Sequence, residues 1–461
     1  MKNLFKLMLL LLVLLLGVAC ARVEREGDNN GGTGTPTNHD DGSIVVVTGP
    51  DNAPKPSKPQ QTLHVFIENS GSMNGYINQA SDFQMAIGRA IQLMKYGEDN
   101  IKTYYVNQNI RERIRPDGTD IYQFVQNMLD KKNFTTSGTG KADRGTTATD
   151  LNDIVKRVLD SVDENNTAVL ISDFIYSLPS TNGTTTSLLY GCQNLTMSAF
   201  LQKTKALNAS LATNLIQLYS SFNGKYWHWE KPTGKDYVKL NCIRPYYMCV
   251  LGTDDNVKEF NRSINIEELK GYMNQFTISN KDVSNANYTV FDTKYKVGSY
   301  RHNNSPAIHD VTKASKNNVG KFEMGIAIDL SDFSMSETDK LDVANYEVGK
   351  GNYKISKIEA IDTTLLANPL DKKLIRDNHC THAIIVSATG FPNDLSISIK
   401  RNLPQWIRNA SSVDDRTIAT DQQEQLKTFG ISYFVEGISD AYKYLATNKN
   451  NFMTINITVK K

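Results

Sequence analysis

The residues best equipped for chemistry in this chain are oxygen donors carried on loops. Glu68-Asn69-Ser70-Gly71-Ser72 follows an apolar run from Thr62 to Ile67, and the spacing Glu-x-Ser-x-Ser brings three oxygen-bearing side chains to one side of a tight turn. Gly145-Thr146-Thr147-Ala148-Thr149-Asp150 stands just before a helical pattern that opens at Leu151, and Asp173 follows the apolar run Thr167 to Ser172. A threonine hydroxyl and an aspartate from these later loops could join the first three groups. Carboxylate, hydroxyl and water ligands suit Mg²⁺, Mn²⁺ or Ca²⁺, with Mg²⁺ ranked first, and do not suit a soft metal.

Such a site needs elements that bring the three loops to one place. Thr62 to Ile67, Ile101 to Val106 and Thr167 to Ser172 read as short buried strands. Phe83, Ile87, Ala90, Ile91 and Met94 recur at helical spacing; so do Ile121, Phe124, Val125, Met128 and Leu129, and again Leu151, Ile154, Val155, Val158, Leu159 and Val162. Farther on, Phe200 to Leu207 reads as a helix, Leu215 to Tyr219 and Tyr246 to Leu251 as strands, and a helix is expected after Asp254. Strands alternating with helices predict an open α/β sheet covered on both faces, whose ligands bind outside the carboxyl ends of the strands. The donor-bearing loops leave those ends.

The motif and its order resemble a von Willebrand factor type A domain with its metal-ion-dependent adhesion site, over about 62–270. The family signature is Asp-x-Ser-x-Ser, then Thr, then Asp. Ser70 and Ser72 match the serines and Asp173 the last Asp; Thr149 is taken as the threonine because Leu151 and Val155 then fall at helix-core positions, with Thr147 second. The resemblance implies a cation held by Glu68, Ser70, Ser72, Thr149 and Asp173, with one position left open for a carboxylate of a protein partner. Glu68 departs from the family's Asp by a methylene, which could let it bind the cation directly or shift it.

The chain has 461 residues, 51 basic and 49 acidic. Lys2 and Lys6 are the only charges before Cys20, so the remainder is balanced at 49 of each sign, and nucleic acid drops out as a partner. Lys2 and Lys6 precede an apolar run from Leu7 to Cys20, shorter than the roughly 20 residues of a spanning helix, which predicts a signal peptide over 1–19. Leu16-Gly17-Val18-Ala19-Cys20 resembles the lipobox of bacterial lipoproteins, although Gly17 stands where Leu is usual; the resemblance implies lipidation of Cys20 and anchoring in a bacterial cell envelope, with the outer membrane or cell surface ahead of the inner membrane. The rival cut follows Ala19-Cys20-Ala21. Residues 20–61, rich in Gly, Asn, Asp, Thr and Pro, read as a flexible tether. Cys192, Cys242, Cys249 and Cys380 allow disulfides in an exported protein, with the pairing left open.

Over about 275–461 the pattern changes to period two. Phe322 to Leu330, Leu395 to Ile399 and Ile455 to Val459 alternate, and Tyr353 to Ile361 and Ala383 to Ala388 add strands. This predicts a β-rich, sandwich-like second domain with one helix near the end, marked by Ile431, Phe434, Val435, Ile438, Ala441, Tyr442 and Leu445. Around the site, 133–146 and 174–196 read as long rim loops, the latter with Tyr176, Tyr190 and Cys192. Tyr226-Trp227-His228-Trp229 reads as a hairpin with both indoles on one face.

Other motifs carry less. Ser137-Gly138-Thr139-Gly140-Lys141 lacks phosphate-loop spacing, and His379-Cys380-x-His382 lacks a second cluster to complete a zinc site. The leading expectation is a lipid-anchored envelope protein, not an enzyme, that binds an acidic side chain of a protein partner through a divalent cation. The alternatives are a structural envelope-assembly component with a non-functional metal site and, last, a hydrolase with a scattered active site.

Overall fold

The computed structural model describes residues 61–460, apart from 79–80, 95, 142–149, 179–182, 230–235, 284–285, 304–305 and 334. The leader, Cys20, the tether and Thr149 therefore lie outside the described residues.

The sheet that carries the candidate site has seven strands: β1 (Thr62–Glu68), β2 (Ile101–Val106), β3 (Ile110–Arg113), β4 (Asn166–Ser172), β5 (Leu211–Trp227), β6 (Tyr237–Thr253) and β7 (Tyr272–Ser279), in the order β3-β2-β1-β4-β6-β5-β7. β1 runs parallel to β2 and to β4, with Ile67 opposite Tyr105 on one side and Ile171 on the other. This register puts the last residues of the three strands level, so their following loops meet at one edge. Beyond β4 the sheet turns antiparallel: β4 pairs β6, β6 pairs β5 and β5 pairs β7. The chain is thus mixed α/β: a helix still separates β4 from β5 and another follows β6, as expected from the sequence, but β5 and β6 form a hairpin with no helix between them.

The helices divide between the two faces. α1 (Asp82–Leu93), α2 (Ile121–Met128) and α6 (Asp254–Ser263) bury Phe83, Ile87, Phe124, Val125, Val257 and Phe260 against Val65, Ile67 and Val169. α3 (Lys131–Thr135) is a short turn after α2. α4 (Leu151–Asp160) and α5 (Thr185–Ala206) cover the other face with Ile154, Val155, Val158, Leu189 and Phe200 on Phe66, Ala168 and Leu170. Ser81 and Gln84 form a reciprocal capping box that starts α1, and Asp150 caps α4.

Two differences from the sequence reading concern the rim. Most of 174–196 is not a loop, because α5 begins at Thr185 and takes in Tyr190 and Cys192; Tyr176 and Cys192 are buried, and only Tyr190 projects. Its last part, from Phe200, was legible as a helix, but the part before it was read as loop because α4 and the C-terminal helix Ile431–Leu445 flank it, so no single apolar stripe marks it. Small groups let α5 and the C-terminal helix meet closely: a Cβ at Gly437 would lie 2.6 Å from the Gln193 carbonyl oxygen. The two indoles also part company. β5 ends at Trp227, which is exposed on the hairpin, whereas Trp229 lies past the strand and packs partly buried on the α4–α5 side.

The later part of the chain is β-rich. Tyr346–Lys350, Leu395–Lys400, Asn451–Val459, Ala307–Thr312 and Ser299–His302 form one sheet, and Tyr353–Ala360, His382–Ala388, Glu323–Ile328 and Tyr288–Val290 another. Ile397, Ile399, Ile455 and Ile457 of the first share a core with Ile326, Ile328, Ile384 and Val386 of the second. Residues 405–445 leave this core. Ile407, Phe429, Phe434, Val435, Ile438 and Tyr442 belong to the core of the seven-stranded sheet, so the terminal helix packs there and not on the β-rich sheets. The chain therefore passes between the two cores after β7, near 401 and near 450. Arg401, 2% exposed, joins the passages: Nη1 donates to the Ser279 carbonyl at 3.1 Å, Nη2 to Asp282 at 2.9 Å, and Nε to the Asn448 carbonyl at 3.1 Å.

Candidate functional site

The site is built where β1 and β4 end. Glu68 closes β1 and is buried; its carboxylate accepts a hydrogen bond from the Ser172 hydroxyl, the last residue of β4. The chain then turns, with the Met73 amide donating to the Ser70 carbonyl at 3.2 Å. This places the Ser70 and Ser72 hydroxyls 3.0 Å apart. Asp173, 3% exposed, accepts from Ser72 and from the Ile175 amide at 3.3 Å. Four of the five sequence candidates thus gather at one edge on two adjacent strands. Thr149 is outside the described residues, though its neighbour Asp150 is at the start of α4.

The loops are tied together from behind. Asn69 donates to the Phe134 carbonyl at 2.8 Å and to Ser137 at 2.9 Å, while Asn107, after β2, donates to the Asn69 side chain at 2.8 Å. Phe174, next to Asp173, holds φ at +52°, a left-handed conformation that is costly for a bulky residue. Its amide donates to the Ser172 hydroxyl at 2.8 Å, and its ring, fully buried, packs 5.0 Å from that of Phe434. The C-terminal helix thereby holds the strained turn that aims Asp173. Tyr176 continues the bracing, with its hydroxyl 3.0 Å from that of Thr196 on α5, which donates to Asn152 on α4 at 2.8 Å.

The electrostatics have a component the sequence reading missed. Arg244, on β6, is 1% exposed and lies among Tyr76, Tyr226 and Asp173. Its Nη1 donates to the Gln425 carbonyl at 3.0 Å, and its guanidinium sits 4.8 Å from the Tyr226 ring centre. Burial opposes its charge, but the Tyr76, Tyr226 and Asp173 oxygens outweigh that and raise its pKa. Burial pushes the Asp173 carboxyl up, and the Ser72 hydroxyl, the Ile175 amide and the Arg244 charge pull it back only in part. The one available signal was a lone Arg at the head of the apolar run Tyr246 to Leu251; Ser172, hidden inside a strand-like run, gave none.

The donor chemistry fits a hard cation: Glu68, Ser70, Ser72 and Asp173 supply two carboxylates and two hydroxyls on a rigid frame. Among the described residues there is no group of three or more His, Cys, Asp or Glu able to hold a metal, so such a site would depend on its hydroxyls. The soft-ligand segment near Cys380 goes to structure instead: His382 Nε2 meets Glu337 at 2.7 Å and Cys380 is buried. All four described cysteines are free thiols. No family model, curated protein or solved structure matches this chain.

Proposed function

We propose that the protein is a recognition module of a bacterial cell envelope that binds a protein partner through a divalent cation held by Glu68, Ser70, Ser72 and Asp173, with Thr149 as the fifth ligand, in the manner of a von Willebrand factor type A domain. The observation that carries the reading is the gathering of these two carboxylates and two hydroxyls, separated by a hundred residues of chain, at the ends of the neighbouring parallel strands β1 and β4. A cation held there would supply a Lewis-acidic position for an acidic side chain of the partner. The residues of this chain fix the oxygens, exclude water from behind through Phe174 and Tyr176, and perform no covalent step. Anchoring through lipidated Cys20 is part of the same proposal; among the described residues no helix is long and apolar enough to cross a membrane.

The test is calorimetry of the full chain in detergent with Mg²⁺, Mn²⁺ and Ca²⁺. Binding heat that disappears in the joint Ser70→Ala, Ser72→Ala variant is the expected result; no heat with any of the three ions overturns the reading. A second reading, an envelope-assembly component that uses no cation, is favoured by one observation. Glu68 already bonds Ser172, and Asp173 already has Ser72 and Arg244, so protein groups answer both acids. Partner capture that is indifferent to chelator would select it.

A further inference from the structure

The β5–β6 hairpin rises past the sheet and lies against the turn that carries the candidate ligands. A Cβ at Gly224 would be 2.5 Å from Gly75 Cα, and Asn78 donates to the Asn223 carbonyl at 2.5 Å. Between hairpin and turn runs an open groove of about 500 Å³, walled by Gly71, Asn74, Asn78, Asn223, Lys225 and Lys239. Gly71 is the residue between the two candidate serine ligands, so the groove begins where the cation would sit.

The register of the hairpin sets Lys225 directly opposite Lys239. Both are exposed, and neither has a carboxylate partner among the described residues. Like charges directly opposed across two strands destabilise the pair, and an anion bound beside both ammonium groups would relieve the repulsion. Lys225 is also held in place, its Nζ 4.1 Å from the Tyr237 ring centre and 5.7 Å from that of Trp227. That posture discriminates between occupants. The Trp227 and Tyr237 rings are tilted at 57° and the lysine lies over them, so the two do not form one flat platform for a sugar ring.

We infer that this groove is a second anion subsite that grips an acidic peptide segment of the protein partner, one carboxylate lying between Lys225 and Lys239 while a neighbouring one reaches the cation. The peptide nature of the ligand rests on the reading above, but the lysine pair needs no cation. The Asn223 side chain, exposed on the same wall, supplies an amide of the kind that pairs with an extended backbone.

Fluorescence anisotropy of a labelled alternating Glu–Gly peptide with the full chain tests it, in chelator and in Mg²⁺. In chelator the peptide should bind in a salt-sensitive way, and Lys225→Glu with Lys239→Glu should weaken it on the order of tenfold. Lys225→Ala with Lys239→Ala should give an intermediate loss. Mg²⁺ should tighten wild-type binding and leave Ser72→Ala unchanged. Equal binding by wild type and the charge-reversed variant in chelator overturns the proposal, as does polygalacturonate binding tighter than the peptide, which would assign the groove to an anionic glycan. If the lysine effect persists while Mg²⁺ changes nothing, the subsite stands and the metal reading falls.

Discussion

The contact between Gly75 and Gly224 gives the sharpest mechanical test of how the site is held. Glycine at 224 lets β5 rest on the turn at Met73–Tyr76, which follows Ser72 without a break. Substituting Ala would place a Cβ 2.5 Å from Gly75 Cα and 3.0 Å from Gly75 N, against a comfortable carbon separation of about 3.5–4.0 Å. The obstacle is backbone, so no rotamer change relieves it, and the hairpin must lift by about 1 Å. Overpacking of this kind costs about 1–3 kcal/mol, and the upper end applies here because neither side can turn away. Gly191→Ala is the matched control: it lies exposed within α5 and a Cβ there meets nothing within 4 Å, so it should stabilise by about 0.5–1 kcal/mol. Urea unfolding of both variants measures the difference, and Mg²⁺ calorimetry of Gly224→Ala should show weaker binding because the displaced turn carries Ser72. If Gly224→Ala proves as stable as Gly191→Ala, the close packing of hairpin on turn is not what sets this edge.

Other consequences are equally direct. Phe174→Ala should cost about 3–4 kcal/mol in urea unfolding, because it empties a fully buried ring site against Phe434 and Tyr247; a loss below 1 kcal/mol would refute the clamp. Arg401→Met should lower stability by about 3 kcal/mol in scanning calorimetry, since the carbonyls of Ser279, Lys281 and Asn448 lose the guanidinium donor and the Asp282 carboxylate keeps only the Thr447 amide. Burial pushes the Asp339 carboxyl up to about 6, so its contribution to stability is whole below the ordinary carboxylate range and is lost as pH rises through about 6. Asp339→Asn should therefore gain on wild type between pH 4 and 7, by at most about 3 kcal/mol, and parallel pH profiles would refute this. Besides Cys20, four thiols should titrate with an aromatic disulfide after unfolding without reductant, and slowly before it, since burial pushes Cys192 up to about 11 and Cys380 up to about 12; fewer than four would reveal a disulfide.

What the sequence could disclose follows from which faces are covered. α1, α2 and α4 each bury one stripe, so Phe83, Ile87 and Ile91, or Ile154, Val155 and Val158, print a helical period that can be read directly. α5 is flanked on two sides, and before Phe200 it prints none. The length of β5 and β6 was hidden for a related reason. Their lower halves are buried and apolar, while beyond Ser220 and Arg244 the hairpin has a solvent face of Asn223, Lys225, Lys239 and Asn241 that carries no strand signal. Direction is not encoded in period at all, so nothing marked the change to antiparallel pairing after β4. The amphipathic stripe of Ile431–Leu445 announced a buried face but could not name its partner on α5. At the site, residue types and order pointed to Glu68, Ser70, Ser72 and Asp173, whereas Arg244 and Ser172 act through spatial closeness that no local spacing reveals.

Among the described residues, three covalent passages, bound by one guanidinium, tie the two cores together. A two-domain chain joined by a single linker would let its halves swing and would absorb a pull at the recognition edge as rotation. Here a load applied to the hairpin would be shared among three chain passages and the Arg401 cluster before it reached the β-rich sheets. Cutting the chain at Lys400 would not free a tidy half, because it would strip α5 of its covering helix and leave both fragments sticky.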